Sequence, residues 1–354
     1  MRRGTELPNP ESDTLPRAQA LAGRTFQVRD HYEVGREKVR EFARAVQNRH
    51  PAHRHEAHAR QLGYTSVLAP PTFSSIIVMT GIQALLNTVL TDYDLSQVLH
   101  TDQIFEIHRP VVAGDRLRSM VTIESIRSVR DADFVVVGFT ITDDAGAVVQ
   151  VASTTIVARR GEKVLSDIAQ LVEGVVMHSN ATDDLAPVLI PITAAAANPV
   201  ADVSESRRGT SVDTVPRFGR LAVGDVLPLR TIRLARGDLV NYAGVSGDPN
   251  PIHFSDAAAQ FAGLPTVVAH GMLTMGLTAG YLTSWLDDPT AIQKFSVRFS
   301  RLAQVEERVP IELELDGRIQ ALGPESNVAT VVLGVRAAGE KLFGRAFAEV
   351  LLSP

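Results

Sequence analysis

The segment YAGVSGDPNPIH, which ends at His253, carries the residues of this chain that are best suited to proton-transfer chemistry. A carboxylate, Asp248, and an imidazole, His253, stand five positions apart in it, separated by a Pro-Asn-Pro turn. Proline and asparagine favour tight turns, because proline restricts φ and asparagine bonds to nearby backbone amides. Such a turn can hold both groups rigidly around one water molecule or one substrate hydroxyl, where they would act as general acid and base.

Each of these residues also has an ordinary structural interpretation. Asp-Pro-Asn-Pro is common turn chemistry, so Asp248 or Asn250 alone would most often close a turn or cap a helix. A single histidine such as His253 is more often structural than catalytic. We favour the functional interpretation because the residues occur in one string, ahead of Gly271 in AHGM and of a long apolar helix candidate.

Length and composition indicate a globular protein of two domains. The chain has 354 residues, which is longer than a domain with a single hydrophobic core usually is. Its hydrophobic content of 45% and formal charge of -5 are ordinary, whereas a nucleic-acid binder would need a basic excess. The absence of cysteine excludes disulfides, thiolate metal sites and a cysteine nucleophile. Because the N-terminus is polar and no apolar run approaches the roughly 18 residues of a membrane span, we expect a cytoplasmic protein.

The sequence repeats itself at an offset of 200 positions, so that residues 36–73 lie over residues 236–273. Identical columns include Pro51/Pro251, His53/His253 and Gly63/Gly263. The shared residues are turn formers and small helix residues, whose backbone preferences have structural meaning. We interpret the pattern as an internal duplication.

Both halves read as one helix followed by strands. The helix candidates are Phe73–Leu90 and Met272–Leu286, and each is apolar nearly all round, as expected of a helix buried against a sheet. Gly146 and Gly339 mark the last hairpin of each set of strands. The strand candidates are Ile104–Val112, Leu117–Ile126, Phe134–Thr142 and Val148–Val157 in the first half, and Phe295–Leu302, Val309–Leu315, Asn327–Val335 and Leu342–Leu352 in the second.

These elements divide the chain into four parts. We expect a polar N-terminal arm over residues 1–24 and a first half over residues 25–160. Residues 161–214 have a weaker strand signal and read as a connection, with a short helix at Ile168–Val176. The second half then occupies residues 215–354.

The string YAGVSGDPNPIH resembles the hydratase 2 motif of the MaoC-like dehydratases, R-specific enoyl-thioester hydratases of hotdog fold. The first half resembles the non-catalytic dehydratase subunit of mycobacterial fatty-acid elongation systems, through LAPPTF at Leu68–Phe73. Taken whole, the chain resembles the fused double-hotdog branch of that family. The resemblance implies an α+β double hotdog, in which each half is an antiparallel sheet wrapped around a long buried helix.

The resemblance also implies a role for three residues. In that family the motif carboxylate and imidazole bind the catalytic water, and a glycine amide at the start of the central helix binds the thioester oxygen. These roles carry over to Asp248, His253 and Gly271. Physical chemistry agrees, because water addition to a 2-enoyl thioester needs proton transfers and leaves enolate-like charge on oxygen. A free N–H at a helix N-terminus is a preorganised donor for that charge.

Three further residues of the motif are expected to support the site. Asn250 would orient a catalytic group or lock the turn, while Gly247 and Tyr242 belong to the same string. His270, next to Gly271, could line the site or begin the helix, and the sequence leaves both open.

The first half carries a degenerate copy of this site. Asn48 occupies the column of Asp248, and an amide cannot take up a proton. Pro70-Pro71 replaces His-Gly, which removes the amide at the oxyanion position because proline has no N–H. We therefore expect the first half to bind the acyl chain without reacting.

A second group of histidines invites a metal interpretation. HPAHRHEAH contains His50, His53, His55 and His58, but it is not the HExxH zinc motif. The pairing of His53 with His253 in the repeat gives His53 a structural explanation, and the chain has no cysteine. We therefore interpret the group as solvated helix-face residues and not as metal ligands. The sequence predicts no metal and no redox cofactor.

The sequence therefore predicts reversible hydration of trans-2-enoyl thioesters, or dehydration of (3R)-hydroxyacyl thioesters, in fatty-acid metabolism. The substrate would be an acyl-CoA or acyl-carrier-protein thioester, with no nucleic-acid partner, and the assembly a monomeric double hotdog or its homodimer. Two alternatives stay open: a hotdog thioesterase, and a non-catalytic acyl-binding or partner-binding protein. Chain length, carrier, physiological direction, pathway and oligomeric state are not determined by the residues.

Overall fold

The computed structural model describes residues 19–91, 93, 98–130, 132–159, 188–192 and 212–354. Within them one antiparallel sheet has thirteen strands. The strands are β1 (Thr25–Val28), β2 (Tyr32–Glu33), β3 (Val98–Ile107), β4 (Arg116–Val129), β5 (Ala132–Thr142), β6 (Val148–Arg159), β7 (Leu189–Ile192), β8 (Val226–Leu234), β9 (Ile292–Phe299), β10 (Ile311–Gly323), β11 (Val328–Ala337), β12 (Glu340–Lys341) and β13 (Phe343–Leu351).

The described residues also contain six α-helices and four single-turn 3-10 helices. The α-helices are α1 (Arg36–Ala45), α2 (Glu56–Gln61), α3 (Ser75–Thr88), α4 (Arg236–Ser246), α5 (Asp256–Phe261) and α6 (Gly271–Leu286). The 3-10 helices are Pro51–His53, Phe218–Arg220, Pro251–His253 and Pro289–Ala291. None of the helices in the described residues is long and apolar enough to cross a membrane.

The two halves join edge to edge in the middle of the sheet. The main strand order is β7-β1-β4-β5-β6-β3-β9-β13-β11-β10-β8, with β2 on β4 and β12 on β11. Strands β3 and β9 pair antiparallel across the seam, with Phe105 opposite Phe295, and both rings are fully buried. Burial of two aromatic side chains makes this seam part of the hydrophobic core.

The central helices α3 and α6 are buried against this sheet. Residues 272–283 of α6 are all buried, so the helix is enclosed on every side. Its polar side chains are satisfied within the helix: Thr278 Oγ1 donates to Thr274 O at 2.7 Å, and Thr283 Oγ1 donates to Ala279 O at 2.8 Å. Such bonds remove most of the cost of burying a hydroxyl.

Most predicted elements are confirmed. The helix predicted at Met272–Leu286 begins one residue earlier, and the eight predicted strands correspond to β3 to β6, β9 to β11 and β13. Gly146 and Gly339 adopt left-handed φ values of 82° and 80° in the predicted hairpins. The α+β double hotdog is confirmed, and both halves show the same succession of helix and strands.

Several strands were not predicted. Strand β8 contains Pro228 and lies at the edge of the sheet, where proline is tolerated but weakens the sequence signal. Strand β7 falls within the predicted connection and pairs antiparallel with β1. The predicted helix at Ile168–Val176 and most of the predicted N-terminal arm lie outside the described residues.

Candidate active site

The turn that carries the catalytic candidates begins where α4 ends. Gly247 caps α4 with φ 74°, and its N–H donates to Ala243 O at 3.0 Å. Glycine adopts this left-handed conformation without the steric cost of a Cβ atom, and the bond closes the helix. The local sequence thereby turns the chain sharply just before Asp248.

Asn250 organises the rest of the turn. Its side-chain oxygen accepts a hydrogen bond from the Ile252 N–H at 3.3 Å, which caps the 3-10 helix Pro251–His253. Its own N–H donates to Asp248 Oδ1 at 3.1 Å. Asn250 therefore locks the turn and, through its backbone, orients the carboxylate, as expected of a supporting residue.

The imidazole of His253 is fixed by one backbone bond. Its Nδ1 lies 2.7 Å from Val268 O. A carbonyl oxygen only accepts, so Nδ1 carries the proton and Nε2 presents a lone pair. Burial lowers the pKa of His253 below its usual value of 6.5, and Asp248 and the Val268 carbonyl oppose that shift. At neutral pH the imidazole is therefore an uncharged acceptor.

The two catalytic candidates face each other across a gap. Asp248 Oδ2 and His253 Nε2 are 4.0 Å apart. This is too long for a direct hydrogen bond, but one water can lie about 2.8 Å from both atoms. Both side chains are largely buried and line the same cavity. The arrangement can position one water and exchange a proton with it.

Gly271 lies at the edge of this cavity. It is the first residue of α6, so its N–H has no hydrogen-bond partner within the helix. This N–H lies at the N-terminus of α6, which is the positive end of the helix dipole. A Cβ atom here would come within 3.2 Å of the Phe299 ring. Glycine therefore fits this tight contact best, and its amide can donate a hydrogen bond to a ligand oxygen.

The cavity, of about 110 Å³, is shared by the two halves. The second half contributes Asp248, His253 and Gly271. The first half contributes one face of α3 and parts of β3 and β6. The α3 residues recur at positions i, i+3, i+4 and i+7, as expected of one helix face: Ser75, Val78, Met79 and Ile82.

Three polar residues on strands of the first half line the cavity and were not predicted. Thr154 Oγ1 donates to Gln103 Oε1 at 2.8 Å, and Gln103 Nε2 donates to Ile104 O at 3.0 Å. His100 Nε2 lies 3.1 Å from Asp102 O, and burial lowers the pKa of His100 to about 4. These residues lie within ordinary strand patterns, so no local sequence signal distinguishes them.

His270 and Tyr242 pack behind the imidazole of His253. The rings of His253 and His270 stack with centroids 3.7 Å apart and an interplanar angle of 25°. Tyr242 meets His270 edge-on at 4.9 Å. Both residues are buried, neither lines the cavity, and burial raises the pKa of the Tyr242 hydroxyl. Of the two roles left open for His270, packing at the helix start is the one that this geometry favours.

One set of groups could hold a metal ion among the described residues. Asp248, His253 and His270 each place a possible ligand atom within 4.8 Å of the others. However, Nδ1 of His253 is occupied by Val268 O, and stacked rings direct their nitrogen lone pairs along nearly parallel planes. These lone pairs do not converge on a single ion, so the donor set fits a metal poorly.

The four histidines of the HPAHRHEAH segment differ in burial. His55 and His58 are exposed, as predicted for a solvated helix face, and His50 is partly buried. For His53 that prediction is wrong, because its ring is fully buried and Nδ1 lies 2.7 Å from Leu68 O. The same backbone contact holds His253, so His53 is a core residue of the duplicated turn.

Comparison with known proteins gives two family matches. A model described as the FAS1-like dehydratase domain region matches residues 20–152, and the MaoC like domain matches residues 221–336. The chain is also similar to curated proteins called UPF0336. The protein of Saccharopolyspora erythraea is 41% identical over 145 residues, 41% of this chain and 93% of that protein. The protein of Streptomyces avermitilis is 43% identical over 145 residues, 41% of this chain and 97% of that protein.

Solved structures resemble the chain over most of its length. One called MaoC-like dehydratase is 40% identical, covers 95% of this chain and 99% of its own, and has a TM-score of 0.84. HtdX of Mycobacterium tuberculosis is 16% identical over 92% of this chain and 99% of its own, with a TM-score of 0.57. A conserved hypothetical protein of Mycobacterium tuberculosis with a double hotdog fold is 15% identical over 93% of this chain and 96% of its own, with a TM-score of 0.61. The last two likenesses concern the fold alone.

Proposed function

The chain belongs to the MaoC-like double hotdog family, and on that premise we propose that it reversibly hydrates trans-2-enoyl thioesters to (3R)-hydroxyacyl thioesters in fatty-acid metabolism. The MaoC like domain and the 40% identical MaoC-like dehydratase support a hydratase or dehydratase function in general. The observation that carries the finer proposal is the cavity shared by Asp248, His253 and the start of α6 at Gly271.

The paired side chains supply the proton transfers. In the hydration direction, one water would lie between Asp248 Oδ2 and His253 Nε2 and attack C3 of the enoyl thioester. One O–H bond of the water breaks as the C3–O bond forms, and the pair takes that proton. The pair then supplies the proton that forms the C2–H bond, so the enzyme returns to its starting state. Dehydration follows the same steps in reverse.

The amide of Gly271 would stabilise the charge that this addition creates. Attack at C3 moves electron density through C2 onto the thioester oxygen, which becomes enolate-like. An N–H at the first position of α6 is already oriented for an anion and needs no rearrangement during the reaction. Removing one such donor typically costs an enzyme about 10²-fold to 10³-fold in kcat.

The first half would bind the acyl chain. Val78, Met79 and Ile82 of α3 and Ile156 of β6 give the cavity an apolar lining. An apolar wall stabilises an alkyl chain by removing it from water, at roughly 0.8 kcal/mol per buried methylene. This half lacks the catalytic carboxylate, so it contributes binding and no chemistry. The carrier would be coenzyme A or acyl carrier protein.

A spectrophotometric assay tests the proposal. Purified protein is incubated with crotonyl-CoA, with longer 2-enoyl-CoA substrates and with the matching acyl-carrier-protein thioesters. Loss of the conjugated thioester absorbance, with the (3R)-hydroxyacyl thioester as product, is the expected result. Absence of turnover with every chain length and both carriers would overturn the proposal.

The alternatives give different outcomes in the same assay. A thioesterase would direct water at the carbonyl carbon and release free thiol, which a thiol reagent detects. A non-catalytic binding protein would retain acyl thioesters without changing them. Asp248 and His253 can hold one water close to the N–H of Gly271 at the start of α6. This arrangement favours the hydro-lyase, because a protein that only binds acyl thioesters needs neither proton-transfer group.

A further inference from the structure

One side chain of the non-catalytic half contacts the catalytic turn directly. Gln83 of α3 donates from Nε2 to Gly247 O at 2.7 Å, across a separation of 164 residues. The preceding residue, Ile82, lines the cavity, so α3 contacts the cavity and the turn with adjacent residues. Because a carbonyl only accepts, the side-chain nitrogen of Gln83 must face it.

The bond acts on the peptide group that precedes the catalytic carboxylate. The Gly247–Asp248 peptide has its C=O held by Gln83 and its N–H directed to Ser246 Oγ at 3.3 Å. The orientation of this peptide plane determines the direction in which the Asp248 side chain leaves the backbone. Glycine restricts its own ψ only weakly, so residue 247 does little to stop the plane from rotating. The plane therefore depends on its two hydrogen bonds.

We propose that Gln83 is a positioning residue for the hydration reaction, supplied by the non-catalytic half, which fixes the Gly247–Asp248 peptide and so holds Asp248 towards His253. This inference rests on the proposed function, and it assigns the first half a second task beside acyl binding. Gln83 itself does not line the cavity. It acts only through the backbone of the turn.

The repeat supports this assignment, because the reciprocal contact has changed. At the offset of 200 positions, Gln83 corresponds to Thr283 and Gly247 to Gln47. The C-terminal half thus presents a hydroxyl to the degenerate turn, where Asn48 Nδ2 lies 3.5 Å from Thr283 Oγ1. The long amide donor is present on the side that faces the catalytic carboxylate.

The test compares two glutamines with the same chemistry. Gln83→Met keeps the side-chain volume and removes the donor, and Gln83→Lys restores a donor of similar reach. Gln47→Met is the matched control, because Gln47 Nε2 also donates to a backbone carbonyl of the other half, Arg233 O at 3.1 Å, away from the catalytic turn. The readouts are kcat, KM and Tm of the full chain with a 2-enoyl-CoA substrate.

We expect kcat of Gln83→Met to fall about tenfold, with KM changed less than about twofold and Tm preserved, because one neutral hydrogen bond is lost. Gln83→Lys should recover most of kcat, and Gln47→Met should match the wild type. An unchanged kcat in Gln83→Met, or an equal fall in the Gln47 control, would overturn the proposal.

A second readout does not require turnover. The ring of His253 faces two titratable groups, Asp248 at 4.0 Å and the stacked His270, and Tyr242 contacts His270. The Asp248 charge raises the pKa of His253, so a less constrained carboxylate should let that pKa fall. NMR titration of the His253 ring in wild type and Gln83→Met measures this. An unchanged pKa contradicts the positioning role, whereas a wild type inactive on all enoyl thioesters contradicts only the proposed function.

Discussion

The two halves contain the same turn, built to the same dimensions, and only one turn has groups that can react. His53 and His253 each place Nδ1 2.7 Å from a backbone carbonyl, Leu68 O and Val268 O respectively. The residue at the carboxylate column accepts a backbone N–H in both, at 3.2 Å for Asn48 Oδ1 and 3.1 Å for Asp248 Oδ1. The turn is therefore a scaffold of the duplicated fold, and its presence alone does not imply catalysis.

The difference lies in what surrounds the turn. Pro71 takes the place of Gly271, so the first half has no amide for a ligand oxygen. The hollow beside Pro70 and Pro71 measures about 20 Å³, against about 110 Å³ for the cavity at Asp248. Nε2 of His53 is buried without a hydrogen-bond partner among the described residues. The carboxylate, the glycine amide and the space occur together only in the second half of the described residues, which is why the reaction is proposed there.

The largest effect should follow from exchanging the two residues of the carboxylate column. Asp248→Asn copies the first half and should lower kcat about a thousandfold, because the amide cannot take up the proton. Steady-state kinetics measures this. The reciprocal Asn48→Asp should create no activity in an Asp248→Asn background, since that side lacks cavity and amide. If the double variant recovered turnover, the turn of the first half would need only a carboxylate to react, without the cavity or the amide.

The paired histidines should separate catalysis from stability. His253→Ala should lower kcat to a similar extent as Asp248→Asn, because the Nε2 acceptor is lost. His53→Ala should change turnover little, yet lower the free energy of unfolding by about 2 kcal/mol, because a buried, hydrogen-bonded ring is removed. Denaturant unfolding and kinetics on both variants measure the two effects. Comparable loss of turnover in the His53 variant would contradict the division between the halves.

Gly271→Ala should have the next largest effect. The added methyl would meet the Phe299 ring at 3.2 Å, so the ring or the start of α6 must give by a few tenths of an ångström, which disturbs the wall of the cavity beside the amide. We expect kcat to fall about tenfold to a hundredfold. Gly280→Ala is the control in the same helix, where the methyl would stand 3.4 Å from the Asn48 side chain. An equal loss in both variants would indicate a general effect on α6.

The pH dependence of kcat/KM should identify which of the paired histidines, His253 or His53, titrates in the reaction. Burial lowers the pKa of His253 below 6.5, and the neutral ring is the acceptor in the proposed reaction. Hence kcat/KM should be level at neutral pH and should fall severalfold as pH drops through that pKa, since protonated Nε2 cannot accept. The acid limb should persist in His53→Ala, because burial lowers the pKa of His53 to about 3. If the acid limb of kcat/KM disappeared in His53→Ala, the titrating group would be His53 of the first half, which would contradict the proposed role of His253.

The smallest effect should concern a duplicated ion pair. Arg236 binds Asp256 through two bonds, at 2.8 and 2.9 Å, while the corresponding Arg36–Glu56 distance is 3.4 Å. Hydrogen bonding to Arg236 lowers the pKa of Asp256 below 3.8, so its stabilisation is present above that value and is lost as pH falls through the folded pKa. Asp256→Asn should lower Tm slightly more than Glu56→Gln at pH 7. The two variants should converge in acid, as thermal melts can check.

The elements that were predicted from sequence are those with a strong local pattern. The helix at Met272–Leu286 was found because it is apolar nearly all round, and the hairpins because Gly146 and Gly339 favour left-handed φ. Strand β8 was missed, because an edge strand with a proline has a weak pattern. The same contrast applies to the site. Asp248 and His253 share one turn, whereas His100 and Gln103 reach the cavity from β3 and Thr154 reaches it from β6.

The sequence by itself determined the duplication, the turn with its carboxylate and imidazole, and the loss of the carboxylate and of the glycine amide from the first copy. These features depend on residue identity and on backbone preferences over a few neighbouring positions. Only the tertiary structure decided that α3 of the first half completes the cavity and that Gln83 donates a hydrogen bond to Gly247 O in the turn before Asp248. Such contacts join residues far apart in the chain, and their geometry depends on how the two halves of the sheet meet at the β3–β9 seam.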